Sequence, residues 1–149
     1  MLDSRVPATI DALVTSWDAT GATVWDGPIV TGEDQDCIHV GYDGDPDGDY
    51  QTADFDSEWA GLGAKARDEE FDIPCAVVAL VGDDGGTKLA RDNAYALLKK
   101  AADALRADPS LGLSPPFTAG LQGGPVFTEP GPKGYQVRIV FRVHVKTRI

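Results

Sequence analysis

The chain has 149 residues, a length typical of a single domain that buries roughly 70 % of its unfolded surface. Hydrophobic residues make up 42 % and charged residues 25 %, a balance that excludes global disorder. With 24 acidic and 13 basic side chains, the formal net charge is −11, which disfavours tight binding to nucleic-acid phosphates. No apolar run approaches the roughly 20 residues that cross a bilayer, and the first ten residues lack an apolar signal core. We therefore expect one domain over residues 1–149, with no membrane partner.

The first part of the chain predicts a helix followed by two strands. Apolar residues recur at helical spacing from Val6 to Trp17, which predicts a first helix that ends near Gly21. Two short segments of β character follow, Thr23–Trp25 and Cys37–Tyr42, and we interpret them as paired strands.

Four further segments have the character of strands. Over residues 53–59, apolar or small side chains alternate with carboxylates, which predicts a half-exposed strand with one acidic face. From Phe71 to Val81 the pattern becomes continuously apolar, as in a central strand covered on both faces. Pro115–Glu129 predicts an irregular or edge strand, because Pro125 cannot donate a ladder hydrogen bond. Residues 137–146 alternate apolar with mostly basic side chains, which predicts a last strand with one core face and one basic face.

A second helix is predicted between the central and the edge strand. Its apolar stripe runs from Leu89 to Leu105, and Asp108–Pro109 ends it. Three side chains could cap its first amides: Asp83, Asp84 and Thr87. This order of elements predicts an α+β fold, a mixed and mostly antiparallel β-sheet with two main helices packed against it.

Two cysteines are present, Cys37 and Cys75, each within an apolar stretch. In a chain without an export signal, they are most simply reduced core residues rather than a disulfide. A zinc site is disfavoured because it would require both thiols to converge with His39 and His144 from scattered positions.

The stretch from Asp43 to Asp54 reproduces the D-x-D-x-D-G start of a calcium loop. The pattern is incomplete, since position twelve is Asp54 instead of the longer Glu and the flanks predict strands instead of helices. We expect a mobile acidic loop without bound metal, kept extended by repulsion among its carboxylates.

No pattern of residues indicates an enzyme. Gly82–Lys88 joins a strand to a helix but lacks the phosphate-loop spacing, and Asp83 and Asp84 would repel phosphate. Two histidines on strands, and serines outside a G-x-S-x-G turn, give no recognisable catalytic arrangement. We therefore expect no catalytic residues, no cofactor and no metal.

Two predicted strands carry outward charges of opposite sign, acidic over residues 54–58 and basic over residues 138–146. Such faces can simply be solvated, but they also suit head-to-tail contacts between copies of one chain. The candidate subunit-interface residues are Asp54, Asp56, Glu58, Arg138, Arg142 and Lys146.

Four stretches of the chain carry a resemblance to a known family: WAGLGAKARDEEFDIPCAVVA (59–79), RDNAYALL (91–98), LRADPSLG (105–112) and Gly134–Val145. In that order, they are similar to the central segment, the helix, the exit from the helix and the closing strand of tail terminator proteins from long-tailed, siphovirus-like actinobacterial phages. The resemblance covers roughly residues 5–147 and consists of structural patterns without a catalytic signature. The loop Asp43–Asp49 lies outside it.

The resemblance implies a structural virion protein that forms a hexameric ring at the head-proximal end of the tail. The ring would cap the major tail tube protein, terminate tail polymerisation and join neck or head-completion proteins. Phage DNA would pass through the lumen without specific binding, which the net charge of −11 suits. Assembly would take place in the host cytoplasm, and no cofactor is implied.

Two alternatives remain open. One is another neck component, a head–tail connector or completion protein, which would share the ring and the size. The other is a calcium-dependent binding module built on Asp43–Asp54.

Overall fold

The computed structural model describes residues 4–29, 36–59, 67–82, 86–131 and 134–149. Within these ranges the helices are α1 (Val6–Asp18) and α2 (Gly86–Ala107), and the strands are β1 (Val24–Asp26), β2 (Cys37–Val40), β3 (Asp54–Trp59), β4 (Arg67–Gly82), β5 (Phe117–Gly131) and β6 (Gly134–Arg148). Neither helix is long and apolar enough to cross a membrane.

The described strands form one sheet in the order β1-β2-β4-β6-β5. β6 pairs with β4 along its whole length, whereas β2 and β3 share the opposite side of β4. Every pairing is antiparallel except that of β1 with β2. The predicted α+β architecture is therefore confirmed, and β4 is the central strand as expected.

One face of the sheet, which we call the inner face, packs against both helices. Residues directly opposite each other in a ladder share a face, so Phe71, Ile73 and Cys75 of β4 lie beside Val145, Val143 and Phe141 of β6. The rings of Trp17 and Phe141 lie 5.8 Å apart, which joins α1 to the sheet. Trp17 Nε1 also donates a hydrogen bond to Ala101 O over 3.2 Å, which joins α1 to α2.

The helix boundaries follow the local sequence. α1 contains Pro7 in its first turn, where the missing N–H costs little, and Gly21 follows its end with a φ of +89°. α2 ends just before Asp108–Pro109, as predicted. Thr87 lies inside α2 rather than before it, and the other expected caps, Asp83 and Asp84, lie outside the described residues.

Two strand predictions need correction. β4 begins at Arg67, earlier than the expected Phe71, because pairing with β3 and β6 extends the strand through a charged stretch. In β3 the face opposite the carboxylates is not a core face, since Phe55 is 51 % exposed. α2 packs against β4, β5 and β6, and α1 packs against β1 and β2, whereas neither helix packs on β3 to a comparable extent. The edge position and Pro125-associated bulge of β5 are confirmed.

The other face of the sheet, the outer face, is partly covered by residues 41–53, which we call the cover segment. Tyr42 is 6 % exposed, and its N–H donates to Pro74 O over 3.0 Å. At Gly44 the segment is so close to the sheet that an added Cβ would lie 3.2 Å from the Ala76 Cβ. The middle of β4 is therefore covered on both faces, as its continuous apolar stretch predicts.

Candidate subunit interface

The acidic stripe predicted on β3 lies on the outer face of the sheet. Asp54, Asp56 and Glu58 are all exposed. Each stands directly opposite another carboxylate of β4: the pairs are Asp54 with Asp72, Asp56 with Glu70 and Glu58 with Asp68. Like charges directly opposite each other destabilise a strand pair. Within the described residues, no cation lies in ion-pair distance of the β3 carboxylates.

The basic stripe of β6 lies on the same outer face, separated from β3 by β4. His144 Nδ1 lies 2.6 Å from Asp72 Oδ1, and His144 Nε2 lies 2.8 Å from Glu70 Oε1. Arg148 Nε lies 2.8 Å from Asp68 Oδ1. The outer-face carboxylates of β4, which are Asp68, Glu70 and Asp72, thus have cationic or imidazole partners from β6, whereas the described residues provide none for those of β3.

Arg142 and Lys146 are the two exposed β6 cations without such a partner. Arg142 stands opposite Pro74 and Gln122, and Lys146 stands between Glu70 and Thr118. No carboxylate among the described residues lies in ion-pair distance of either. Both therefore remain candidates for contact with another molecule.

Arg138 differs from the expectation of an exposed charge, because it is 7 % exposed. Its guanidinium donates from Nη1 to Asp43 O over 2.8 Å and lies 4.3 Å from the centre of the Phe127 ring. The cover segment buries it, with Gly44 against its stem. In this chain Arg138 holds the cover segment on the sheet and does not present a free charge to a neighbour.

The structure brings only some of the candidate residues together. A cleft of about 420 Å³ is bordered by Asp56, Glu58 and Lys146 along with Asp68, Glu70 and Arg148. Asp54 and Arg142 lie outside this lining on the same face, and Arg138 is buried elsewhere under the cover segment.

The acidic loop is compact, which corrects the expectation of an extended segment. Asp43 Oδ1 accepts the Asp45 N–H, and Asp45 Oδ1 accepts the Asp47 N–H, each over 2.9 Å. Carboxylate-to-backbone hydrogen bonds of this kind are typical of Asx turns. The rings of Tyr42 and Tyr50 stack 5.5 Å apart. Repulsion among the carboxylates is therefore outweighed by local turns and by anchoring to the sheet.

The calcium-loop carboxylates do not form a common site in this arrangement. Asp54, at position twelve, lies in β3 and faces Asp72. Over the described ranges, no three His, Cys, Asp or Glu side chains group as metal ligands would.

Cys37 and His39 form a contact that the sequence analysis did not single out. Both lie on the outer face of β2 beneath the cover segment, and Sγ lies 3.6 Å from Nε2. His39 Nδ1 lies 3.0 Å from Gly27 O, so this nitrogen carries the proton and Nε2 can accept from the thiol. The spacing Cys-x-His on a predicted strand could have indicated this contact, because it places both side chains on the same face of the strand.

Burial keeps the Cys37 thiol and the His39 imidazole in their neutral forms. It raises the pKa of the Cys37 thiol to about 11, with Asp36 adding to the effect. It also lowers the pKa of His39, against the opposing effect of the Gly27 carbonyl. A nucleophilic thiolate needs a depressed pKa, so the pair acts as a neutral core contact. Cys75 is likewise free and buried, with a pKa raised by burial to about 12. The prediction of two reduced core cysteines is confirmed.

Glu69 is a second buried polar group that the sequence analysis missed. It lies on the inner face of β4, is 1 % exposed, and accepts the Arg5 N–H over 2.8 Å. A carboxylate at the beginning of a helix is stabilised by the exposed amides and the helix dipole. Glu69 therefore joins α1 to the sheet. The sequence feature that could have indicated this role is an acidic residue at a strand position whose side chain points towards the core.

A groove over β5 completes the outer face. Its volume is about 270 Å³. It is lined by Thr118, Gly120, Leu121, Gln122, His144 and Lys146. At Gly120 an added Cβ would meet no atom within 4 Å, so the missing side chain leaves this part of the surface open.

Neither known protein families nor curated proteins gave a match to this chain.

Proposed function

We propose that this chain is a structural subunit of a homo-hexameric ring that caps a phage tail tube, as a tail terminator does. The observation that carries the proposal is the distribution of unneutralised charge on the outer face. Three carboxylates on β3 and two cations on β6 lack partners within the described residues. Opposite charges at different places on one subunit favour head-to-tail contacts, which close into a ring when the rotation between copies is suitable.

The sequence resemblance supports the same function. It spans roughly residues 5–147 and implies an α+β subunit in a ring of six, and the fold of this chain is α+β. A cap must match the tube end on one face and refuse further tube subunits on the other, so its specificity lies in shape and charge.

The buried groups also favour a structural role over catalysis. Cys37 and His39 place a thiol beside an imidazole, but they are 2 % and 5 % exposed and are held neutral. The net charge of −11 suits a conduit through which DNA slides without adhering, because like charges repel.

Deleting the gene tests the proposal. Tube polymerisation should continue without a cap, so micrographs of the lysate should show overlong, headless tails beside filled heads. Tails of normal length that fail to join heads would instead assign the protein to the connector or completion class. Electron microscopy of the purified protein should show a six-fold ring.

A further inference from the structure

We propose that the acidic β3 of one copy docks against the groove over β5 of the next copy. This inference rests on the proposed ring and names the two surfaces that would form its repeating contact. The groove side consists of Thr118, Gly120 and Gln122 with the neighbouring cations Arg142 and Lys146. The other side consists of Asp54, Asp56 and Glu58.

The strand order places these two surfaces on opposite sides of one subunit. Where β3 pairs with β4, the sheet runs β3-β4-β6-β5, so β3 and β5 are its two edges. A head-to-tail contact needs two different surfaces on one subunit, and these two lie at opposite edges of the same outer face. Because β3-β4, β4-β6 and β6-β5 are all antiparallel, β3 and β5 run in opposite directions. A copy displaced sideways along the sheet therefore brings an antiparallel β3 towards β5.

The register aligns the charges along rows of the outer face. One row contains Asp56, Glu70, Lys146 and Thr118, and the next contains Asp54, Asp72, His144 and Gly120. Sideways displacement by a subunit keeps these rows aligned. The incoming Asp56 then approaches Thr118 with Lys146 beyond it, and the incoming Asp54 approaches the open surface at Gly120.

The small side chains on β5 allow carboxylates to reach the cations. Adjacent strands lie about 4.8 Å apart, so a carboxylate that reaches over β5 on the outer face comes within about one strand spacing of β6. Thr118 is short and Gly120 has no side chain, which leaves the space above β5 to the incoming carboxylates and the extended Lys146 side chain. In this position the like-charged β3 carboxylates gain cations, which the described residues of their own subunit do not place within ion-pair distance.

The contact is made by side chains and not by an uninterrupted backbone ladder. The Ala119 N–H, which points away from β6, already donates to Pro109 O over 2.9 Å. This hydrogen bond occupies the β5 edge between Thr118 and Gly120, near the start of the strand, so an incoming strand cannot pair there. The groove on the outer face stays open, and docking there is sensitive to charge and to filling of the groove.

Charge reversal with rescue tests the pairing. Asp56→Lys and Lys146→Glu should each raise the concentration needed for half-assembly by at least about tenfold, because like charges then face each other. The double variant should recover most of that loss. Asp47→Lys and Lys100→Glu make the same charge changes at exposed positions outside the contact, and they should leave assembly unchanged. Mass photometry and sedimentation, in solution and on isolated tail tubes, report the ring.

Filling the groove tests the shape. Gly120→Trp should prevent docking, whereas Gly123→Trp should not, since Gly123 lies on the opposite face beside Phe141. Neither position has an atom within 4 Å of an added Cβ, so neither substitution clashes at its Cβ, and circular dichroism checks that both variants fold.

The outcomes separate this inference from the proposed function. Rings that tolerate single charge reversals and Gly120→Trp would refute the β3-to-β5 contact and leave the ring in place. A chain that stays monomeric in solution and on tail tubes would remove both the ring and the contact.

Discussion

Replacing Arg138 should destabilise the fold, although sequence alone places it among exposed charges. Its guanidinium donates to Asp43 O and lies over the Phe127 ring, and its stem packs against Gly44. A hydrogen bond from a charged group contributes about 1.5–3 kcal/mol, and a partly desolvated cation–π contact about 0.5–2 kcal/mol. Since burying the charge offsets part of this gain, we expect Arg138→Ala to lower the free energy of unfolding by about 2–4 kcal/mol.

Arg142→Ala is the matched control, because it removes the same charge from the same strand at an exposed position without an ion-pair partner among the described residues. Its effect on the free energy of unfolding should stay within about 0.5 kcal/mol. Urea unfolding followed by tryptophan fluorescence measures both variants, at one protein concentration because assembly adds to apparent stability. Hydrogen exchange should also show lost protection in the cover segment of Arg138→Ala. Equal stability of the two variants would refute the anchoring role of Arg138.

Three further predictions concern the cover segment and three buried side chains, those of Cys37, His39 and Cys75. Gly44→Ala should lower the free energy of unfolding by about 1–3 kcal/mol, because the φ of Gly44 is +78° and the new Cβ would lie 2.7 Å from the Arg138 side chain. Gly21→Ala, at a φ of +89° but with no atom within 4 Å of the new Cβ, should lower it less. Equal effects of the two substitutions would contradict the clash at Gly44. With thiol pKa values raised to about 11 and 12, Cys37 and Cys75 are each at most about one-thousandth thiolate at pH 8. The thiol reagent DTNB should therefore react with neither until denaturant is added. Rapid release of one equivalent of thionitrobenzoate by the native protein would refute this prediction. Because the folded-state pKa of His39 is lowered from 6.5, the unfolded chain binds more protons, so the contribution of His39 to stability is full above pH 6.5 and is lost as the pH falls through the folded-state pKa. Between about pH 7.5 and about pH 5.5, urea unfolding should therefore show a smaller decrease in the free energy of unfolding for His39→Gln than for the parent chain. Identical decreases would contradict this role of His39.

Local pattern was enough to predict the helices and most strands. The apolar spacing that predicts the first helix from Val6 corresponds to α1, and the stop at Asp108–Pro109 ends α2. The alternation of β6 likewise matches its buried Val, Ile and Phe residues. These features depend on neighbours within a few residues, through the helical period of 3.6 and the strand period of two. The edge position of β5 followed from Pro125 for the same reason.

Alternation assigns a side chain to one face of a strand but does not say what covers that face. Arg138 and Arg142 have the same periodic position, yet the cover segment buries the first and leaves the second exposed. Phe55 shows the reverse case, since β3 lies where the helices do not cover the sheet. Coverage depends on contacts between residues far apart in the chain, such as Arg138 with Asp43.

The net charge, the strand and helix periods and the acidic and basic stripes can be derived from the sequence, because they are properties of neighbouring residues. The three-dimensional arrangement was needed to show that both stripes lie on one face, and that β4 separates them and supplies carboxylates to His144 and Arg148. Strand order and register are set by long-range pairing and by burial of the inner face. For that reason, the separation of satisfied charges from unsatisfied ones, on which the proposed interface depends, could not be derived from spacing along the chain.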